Sequence, residues 1–233
     1  MIEIHAIKVP SVIEEELFSN LLHLVSRDKK ERITRYMKQK DAYRTLLGEL
    51  LVRSEICKKY NVRNSEIDFE YNIYKKPFLK QNLNFFFNIS HSGEWVICAT
   101  HNAPVGIDIE HIRSIDLDVA LHIAKCFFAK EEYEELLNKN QDEQIHYFYD
   151  LWTLKESFLK ALGKGLTIPL NSFVIKKYNE NHIELLQENL QYTWFFKQYY
   201  LDKQHKLAVC GTTSQFPNRI EIQDITKLNL AIK

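Results

Sequence analysis

Two carboxylates stand at alternate positions in Val105-Gly106-Ile107-Asp108-Ile109-Glu110, a stretch whose apolar residues otherwise read as a β-strand. Side chains alternate faces along a strand, so Asp108 and Glu110 point one way while Ile107 and Ile109 point the other, into a core. Strand rise sets the two acids about 7 Å apart, close enough to repel when both are ionised. A divalent cation relieves that repulsion. Hard oxygen ligands at this spacing suit Mg²⁺, which binds one or two carboxylates together with phosphate oxygens and water. Solvated acids on a sheet edge would give the same hexapeptide, and six residues do not choose between the two readings.

A second group lies on a helix. In YFYDLWTLKESFLKALGKG, Phe148, Leu151, Trp152, Phe158, Leu159 and Leu162 form one apolar arc at about 100° per residue. Lys155 falls in the middle of it. An unpaired buried ammonium is costly, which leaves three explanations: a snorkelling stem, a buried acid partner, or an anionic ligand in a cleft. Glu156 and Lys160 stand four apart on the shoulder of the arc, where both reach one site; as a solvated pair they would contribute only a few tenths of a kcal/mol. His91, between Ser90 and Ser92, is expected at a hairpin tip, and no HExxH or Cys/His ligand pattern accompanies it. A role as phosphate donor gains weight because the strands after it lead straight to Asp108 and Glu110. No Walker loop, GxGxxG or GxSxG is present, which removes the common nucleotide-binding and serine-hydrolase classes.

Composition bounds what can position these groups. The 233 residues are 45% hydrophobic and 12% aromatic, enough for one large buried core or two small ones. Lys+Arg 31 balances Asp+Glu 31, so no global field recruits nucleic acid or an anionic membrane. Cys57, Cys98, Cys126 and Cys210 form no CxxC pair and read as buried thiols of a reducing compartment. No targeting segment or membrane span is visible. The expectation is a cytoplasmic monomer with neither a nucleic-acid nor a membrane partner.

In chain order, Glu3 to Val9 alternates like a strand, and Ser11 with Glu14 reads as a capping box opening a helix through Leu17, Leu21 and Val25. An acid- and base-rich segment carrying Lys29 and Arg32 runs into a long amphipathic helix with Tyr43, Arg44, Leu46, Leu47 and Leu50. A strand near Glu66 to Tyr71, the turn-like YKKP, and the hairpin FFFNIS…WVICAT lead into VGIDIE. Helices follow near Asp118 to Phe128, from Lys130, and from about Asp142 to Leu162, then four strands. A long helix before a strand pair ending WVICAT recurs as a long helix before a pair ending LAVCGT. The expected fold class is α+β, two similar α+β halves in one chain (a pseudo-dimer), divided as 1–105 and 106–233. With no Pro/Gly/Ser-rich linker, the halves should pack tightly around a cleft.

The ordered set RTLLG, KP, FNISHSGEWV, GIDIE and LWTLKESFLKALGKGL resembles the 4′-phosphopantetheinyl transferases of the surfactin-synthetase (Sfp) type, over roughly Ile4 to Cys210. The resemblance implies coenzyme A in the cleft and Mg²⁺-dependent transfer of its 4′-phosphopantetheine group to a serine of an apo acyl or peptidyl carrier protein, with release of 3′,5′-adenosine bisphosphate. It makes Asp108, Glu110 and Glu156 the metal ligands. Lys160 would hold the pyrophosphate, and Ser90 and His91 the phosphate groups. Lys29, Arg32, Arg44, Thr45 and Lys76 would hold the nucleotide end, with Lys155 also counted on the coenzyme A side. Asp108, Glu156, His91 and Lys160 are then the catalytic set, and either Glu156 or a metal-held water takes the serine proton. The carrier should meet Ile112 to Phe128, where Leu117, Val119, Leu121 and Ile123 give an apolar surplus with Lys125 or Arg113 at its rim.

Two departures from the family pattern stand out. Lys75-Lys76-Pro77 replaces the usual Gly-Lys-Pro, so a side chain occupies a position that needs a permissive backbone. The stretch from Glu110 to Phe127 is also a few residues longer. Two other readings compete. A Mg²⁺-dependent phosphodiesterase or nuclease could use the same acids but should show a basic track with interleaved aromatics. A non-catalytic coenzyme A or carrier-protein binding module should have lost an acid or a helix lysine, and none is missing.

Overall fold

The computed structural model describes residues 1–81, 83–112, 116–179, 182–187 and 191–232. Strand β1 (Glu3–Lys8) leads to helices α1 (Glu15–Leu22), α2 (Arg27–Thr34) and α3 (Gln39–Tyr60). A small ribbon follows, β2 (Phe69–Tyr71) with β3 (Pro77–Leu79), then β4 (Phe86–Ser92), β5 (Trp95–His101) and β6 (Val105–His111). Helices α4 (Leu117–Phe127), α5 (Lys130–Leu137) and α6 (Gln141–Leu162) precede β7 (Val174–Asn179), β8 (His182–Leu186), β9 (Phe195–Tyr199) and β10 (His205–Gly211). The chain finishes with β11 (Glu221–Ile222) and α7 (Ile225–Ala231).

Two sheets face each other, ordered β11-β1-β5-β4 and β6-β10-β9. Ile4, Ala6, Ile97, Ile107, Ile109 and Val209 fill the layer between them. Helix α3 covers the outer face of the first sheet with Leu46, Leu47, Leu50 and Leu51, all fully buried, and α6 covers the second with Leu154, Phe158 and Leu159. Each long helix has 22 residues, but the two sit differently: α3 lies on the β4–β5 pair that follows it, whereas α6 lies on β10 and on β6, the strand that precedes it. Phe158 anchors α6 by edge contacts to Phe173 and Trp194, at 5.0 and 5.4 Å between ring centroids. Such pairs add about 0.5–1.5 kcal/mol each beyond the area they bury.

The sheets also join edge to edge, without a backbone ladder. Alternate amides of β6 donate to side chains of β4: Ile107 to Asn88 Oδ1 (2.8 Å), Ile109 to Ser90 Oγ (3.3 Å) and His111 to Ser92 Oγ (2.9 Å). Buried amides need acceptors, and here the alternation Asn88-Ser90-Ser92 supplies them. On its other side α6 presses directly on β6. A Cβ at Gly106 would collide with the Ser157 carbonyl and the Ala161 amide, so only glycine allows this approach.

Several expectations need correction. Helix α1 starts at Glu15 with Glu14 as its cap and no side-chain cap bond, so Ser11 forms no capping box; the chain bends at Ser11 and is irregular up to Glu14. His91 is paired with Val96 inside β4, and the two-residue turn is Gly93-Glu94, with Gly93 at φ 56. The C-terminus does not stay in the second half: β11 pairs parallel with β1, and α7 packs on α1 and α3. Leu228 and Ile232 there join the first core, which gives the tail its reason to cross the 105/106 division. Cys57, Cys98 and Cys210 are buried and outside any disulfide, but Cys126 is exposed. Among the described residues no helix is long and apolar enough to cross a membrane.

Candidate active site

Strand alternation delivers Asp108 and Glu110 to the face of β6 that α6 covers, and Glu156 and Lys160 come to them from α6. Asp108 is 3% exposed. Its Oδ1 receives Lys160 Nζ at 2.5 Å and the Ser90 hydroxyl at 3.1 Å. Lys160 Nζ also reaches Ser90 Oγ at 3.0 Å. The second oxygen, Oδ2, is buried with no hydrogen-bond partner among the described residues. Glu110 Oε2 accepts from Ser92 at 3.1 Å.

Burial raises the pKa of Asp108, against the lowering effect of Lys160 and Ser90. Glu156 is raised first by burial and then by the charges of Asp108 and Glu110, with Lys160 opposing. The three acids therefore share one field. An orphaned buried oxygen among mutually repelling carboxylates suits a hard divalent cation, and the all-oxygen donor set fits Mg²⁺. As they stand the three acids do not bring ligand atoms within 4.8 Å of one another and Lys160 holds Asp108, so an ion has to draw them together.

The basic residues divide into groups. Thr45 and Arg32 both hydrogen-bond Tyr36, lowering its pKa, and the Lys29 charge acts on the same phenol. Lys29 also pairs with the buried Glu49 at 3.0 Å. Arg44 holds the hairpin turn, donating from Nε (3.1 Å) and Nη2 to the Gly93 carbonyl, and pairs with Asp41 at 2.9 Å. His91 lies between the two regions. Its ring keeps an exposed edge, yet crowding and then the charges of Arg44 and Lys160 hold its pKa below the ordinary imidazole value.

Two lysines are placed otherwise than the sequence suggests. Lys155 is fully buried, and its three protons go to Glu132 Oε1 (2.7 Å), Leu170 O (2.9 Å) and Phe173 O (2.9 Å). It cannot also hold coenzyme A; of the three explanations, the buried acid partner is the one found. Lys76 caps the end of α6, with Nζ at 2.5 Å from Lys160 O, 3.3 Å from Ala161 O and 3.5 Å from Val105 O. A cation at a helix C-terminus is favourable. Lys76 caps α6 in this arrangement, and burial pushes its pKa down to about 8. The preceding Lys75 adopts φ 66, and Asn72 Oδ1 accepts from the Tyr74 and Lys76 amides to close this turn.

Tyr36, Asn88 and Ser92 escaped the sequence reading. Asn88 and Ser92 were signalled by polar residues at every second position of β4, a pattern that serves the neighbouring strand; nothing marked Tyr36. Arg113, one of the two expected rim cations, lies outside the described residues.

An acid trio with a lysine and a histidine is thus gathered where β4, β6 and α6 meet. Residues 104–210 match the model of the 4′-phosphopantetheinyl transferase superfamily, and residues 12–103 match that of the 4′-phosphopantetheinyl transferase N-terminal region. The chain is 39% identical over 226 residues to 4′-phosphopantetheinyl transferase Sfp of Bacillus subtilis (strain 168), covering 97% of this chain and 99% of that one. It is 41% identical over 234 residues to 4′-phosphopantetheinyl transferase gsp of Aneurinibacillus migulanus (99% and 96% covered). To the L-aminoadipate-semialdehyde dehydrogenase-phosphopantetheinyl transferase of Mus musculus it is 32% identical over 230 residues (88% and 73%). This protein belongs to the 4′-phosphopantetheinyl transferase family and is an enzyme of that class, which decides against the phosphodiesterase and the non-catalytic binding module.

Proposed function

We propose that Asp108, Glu110 and Glu156 hold Mg²⁺ while the 4′-phosphopantetheine of coenzyme A is transferred to a serine of an acyl or peptidyl carrier protein. The orphaned Oδ2 of Asp108, buried beside two further acids, carries this reading. Bound there, the ion would neutralise phosphate charge, which is most of what phosphoryl transfer asks of a site. Lys160, already at Asp108, is positioned for the pyrophosphate, and His91, neutral near pH 7, donates one hydrogen bond to phosphate. Arg32, Thr45 and Lys29 around Tyr36, with Arg44, form the nucleotide end.

Glu156 takes the serine proton as the carboxylate base of the site. The serine oxygen forms the new bond to phosphorus on the pantetheine side of the pyrophosphate. The bond to the bridging oxygen breaks, and 3′,5′-adenosine bisphosphate leaves. Incubation with coenzyme A, Mg²⁺ and an apo carrier, read by intact mass, tests the whole reading: one added phosphopantetheine per carrier is expected, and no gain contradicts it.

The carrier docks on α4. That helix buries Ala120 and Ala124 against α6 but leaves Val119 47% and Phe127 52% exposed, while Leu117, Leu121 and Ile123 are only partly covered. Val119→Ser with Phe127→Ser should raise the Michaelis constant for carrier and leave calorimetric coenzyme A affinity unchanged. Equal loss of both would move the docking surface elsewhere. The buried thiols of Cys57, Cys98 and Cys210, none in a disulfide, support a reducing, cytoplasmic setting.

A further inference from the structure

On the face of β1 turned away from the inter-sheet layer, a second set of ligand-type side chains converges. Ile4 and Ala6 pack between the sheets, so alternation turns Glu3 and His5 toward α3. His5 there meets Glu55 of α3, and in the β1–β11 ladder it stands opposite Glu221. One ligand atom from each of Glu3, His5 and Glu55 lies within 4.8 Å of the others; the group lines a surface cleft of about 720 Å³. His5 is 3% exposed and Glu55 6%. Even so, His5 Nε2 has no hydrogen-bond partner among the described residues: Glu55 Oε2 is 3.2 Å away but outside hydrogen-bonding geometry.

A buried imidazole nitrogen left without a hydrogen bond beside a carboxylate calls for a cation. A tetrahedral ion with bonds of about 2.0–2.2 Å sets its ligand atoms about 3.4 Å apart. His5 Nε2 and Glu55 Oε2 already stand 3.2 Å apart, and the Glu3 carboxylate has to close from within 4.8 Å. The surroundings resemble an outer ligand shell. Lys58 Nζ holds Glu55 Oε1 at 3.2 Å, leaving Oε2 toward His5. Lys59 Nζ (3.3 Å) and the Thr100 hydroxyl (3.2 Å) fix Glu3 Oε2. His5 Nδ1 lies 3.5 Å from Glu221 Oε2 and 3.2 Å from Gln223 Nε2, which also donates to Glu221 Oε1 at 2.9 Å. Zinc binding would put the ring proton on Nδ1 beside Glu221 Oε2, displacing the Gln223 amide bond that Nδ1 accepts in the metal-free protein, and free the Nε2 lone pair for the ion. The nitrogen donor selects against Mg²⁺ and Ca²⁺ and for ions of the zinc type.

We infer that Glu3, His5 and Glu55 form a site for a divalent transition-metal ion of the zinc class, separate from the Asp108 cluster and tying β1, α3 and β11 together. Three protein ligands leave the fourth position to water. The test uses the tag-free full-length protein without Mg²⁺ or coenzyme A. Zn²⁺ binding is followed by calorimetry, by metal content after gel filtration, and by the absorption of the Co²⁺ form. One ion per chain with a raised thermal midpoint is expected. Affinity should fall at least about tenfold in His5→Gln, and also in Glu3→Gln, whose exposed position keeps the fold intact should the buried variant fail. Asp108→Ala should retain the ion. The inference is overturned if wild type retains no zinc, if Glu3→Gln binds it as tightly as wild type, or if Asp108→Ala is the variant that loses it.

Discussion

Helix α6 carries two lysine–carboxylate pairs five residues apart, and they are finished differently. Lys155 and Glu132 close on themselves. All three ammonium protons are used, and the acid is saturated too: its Oε1 also accepts from the Ile175 amide (2.7 Å) and its Oε2 from the Ala129 amide (2.8 Å). Lys160 and Asp108 are equally close, at 2.5 Å, but Asp108 keeps Oδ2 unpaired and the Lys160 side chain is 29% exposed. Burying charge is tolerable when every lone pair and proton is matched. The first pair meets that condition and belongs to the scaffold, joining α5, α6 and the start of β7. The second withholds one oxygen, and a withheld oxygen in a cluster of acids is the capacity to bind a cation.

The largest effect should come from opening the second pair. Asp108→Ala is expected to reduce transfer by at least about a thousandfold, some 4 kcal/mol of transition-state stabilisation. Its thermal midpoint should hold or rise, since Glu110 and Glu156 lose a repelling neighbour. Rate and midpoint falling together would erase the distinction between the pairs.

Opening the first pair should do the reverse. Lys155→Ala strands a buried carboxylate and is expected to cost about 3–5 kcal/mol in denaturant unfolding, with activity per folded molecule retained. A stable variant with lost coenzyme A affinity would return Lys155 to the ligand set. Lys160→Ala should weaken coenzyme A by about 1.5–3 kcal/mol in calorimetry, the range for a charged hydrogen bond. It should also destabilise the fold because it strands buried Asp108, by less than Lys155→Ala since the Lys160 side chain is partly exposed.

The smallest effect concerns a lysine in neither pair. Lys75 holds φ 66, a conformation that costs a side-chain-bearing residue about 1–2 kcal/mol, part of which glycine returns as entropy of the unfolded chain. Lys75→Gly should therefore stabilise the protein by about 0.5–1 kcal/mol and leave the salt dependence of coenzyme A binding unchanged. A flatter salt dependence would mean that its charge matters and not its backbone.

These contrasts mark what a sequence makes legible. The common face of Asp108 and Glu110 follows from strand alternation, and the meeting of Glu156 with Lys160 from helical spacing; both are local rules. The strain at Lys75 was visible as a side chain where a turn needs freedom. Lys155 was not readable, because its partner Glu132 sits on another helix with no pattern linking the two. Ser90 was expected at phosphate; here it bonds the Ile109 amide and Asp108, and Ser92 does the same for His111 and Glu110, a task set by how two sheet edges meet. The return of 221–231 to the first core depends on the same kind of long-range packing, and Leu228 alone does not announce it.

The central claim is that Asp108 seats the metal. Mg²⁺ titrated calorimetrically into the coenzyme A complex should give a clear isotherm for the wild-type enzyme and for Lys155→Met, and none for Asp108→Asn, which keeps the shape of the side chain and removes its charge. Unchanged Mg²⁺ affinity in Asp108→Asn would contradict the account.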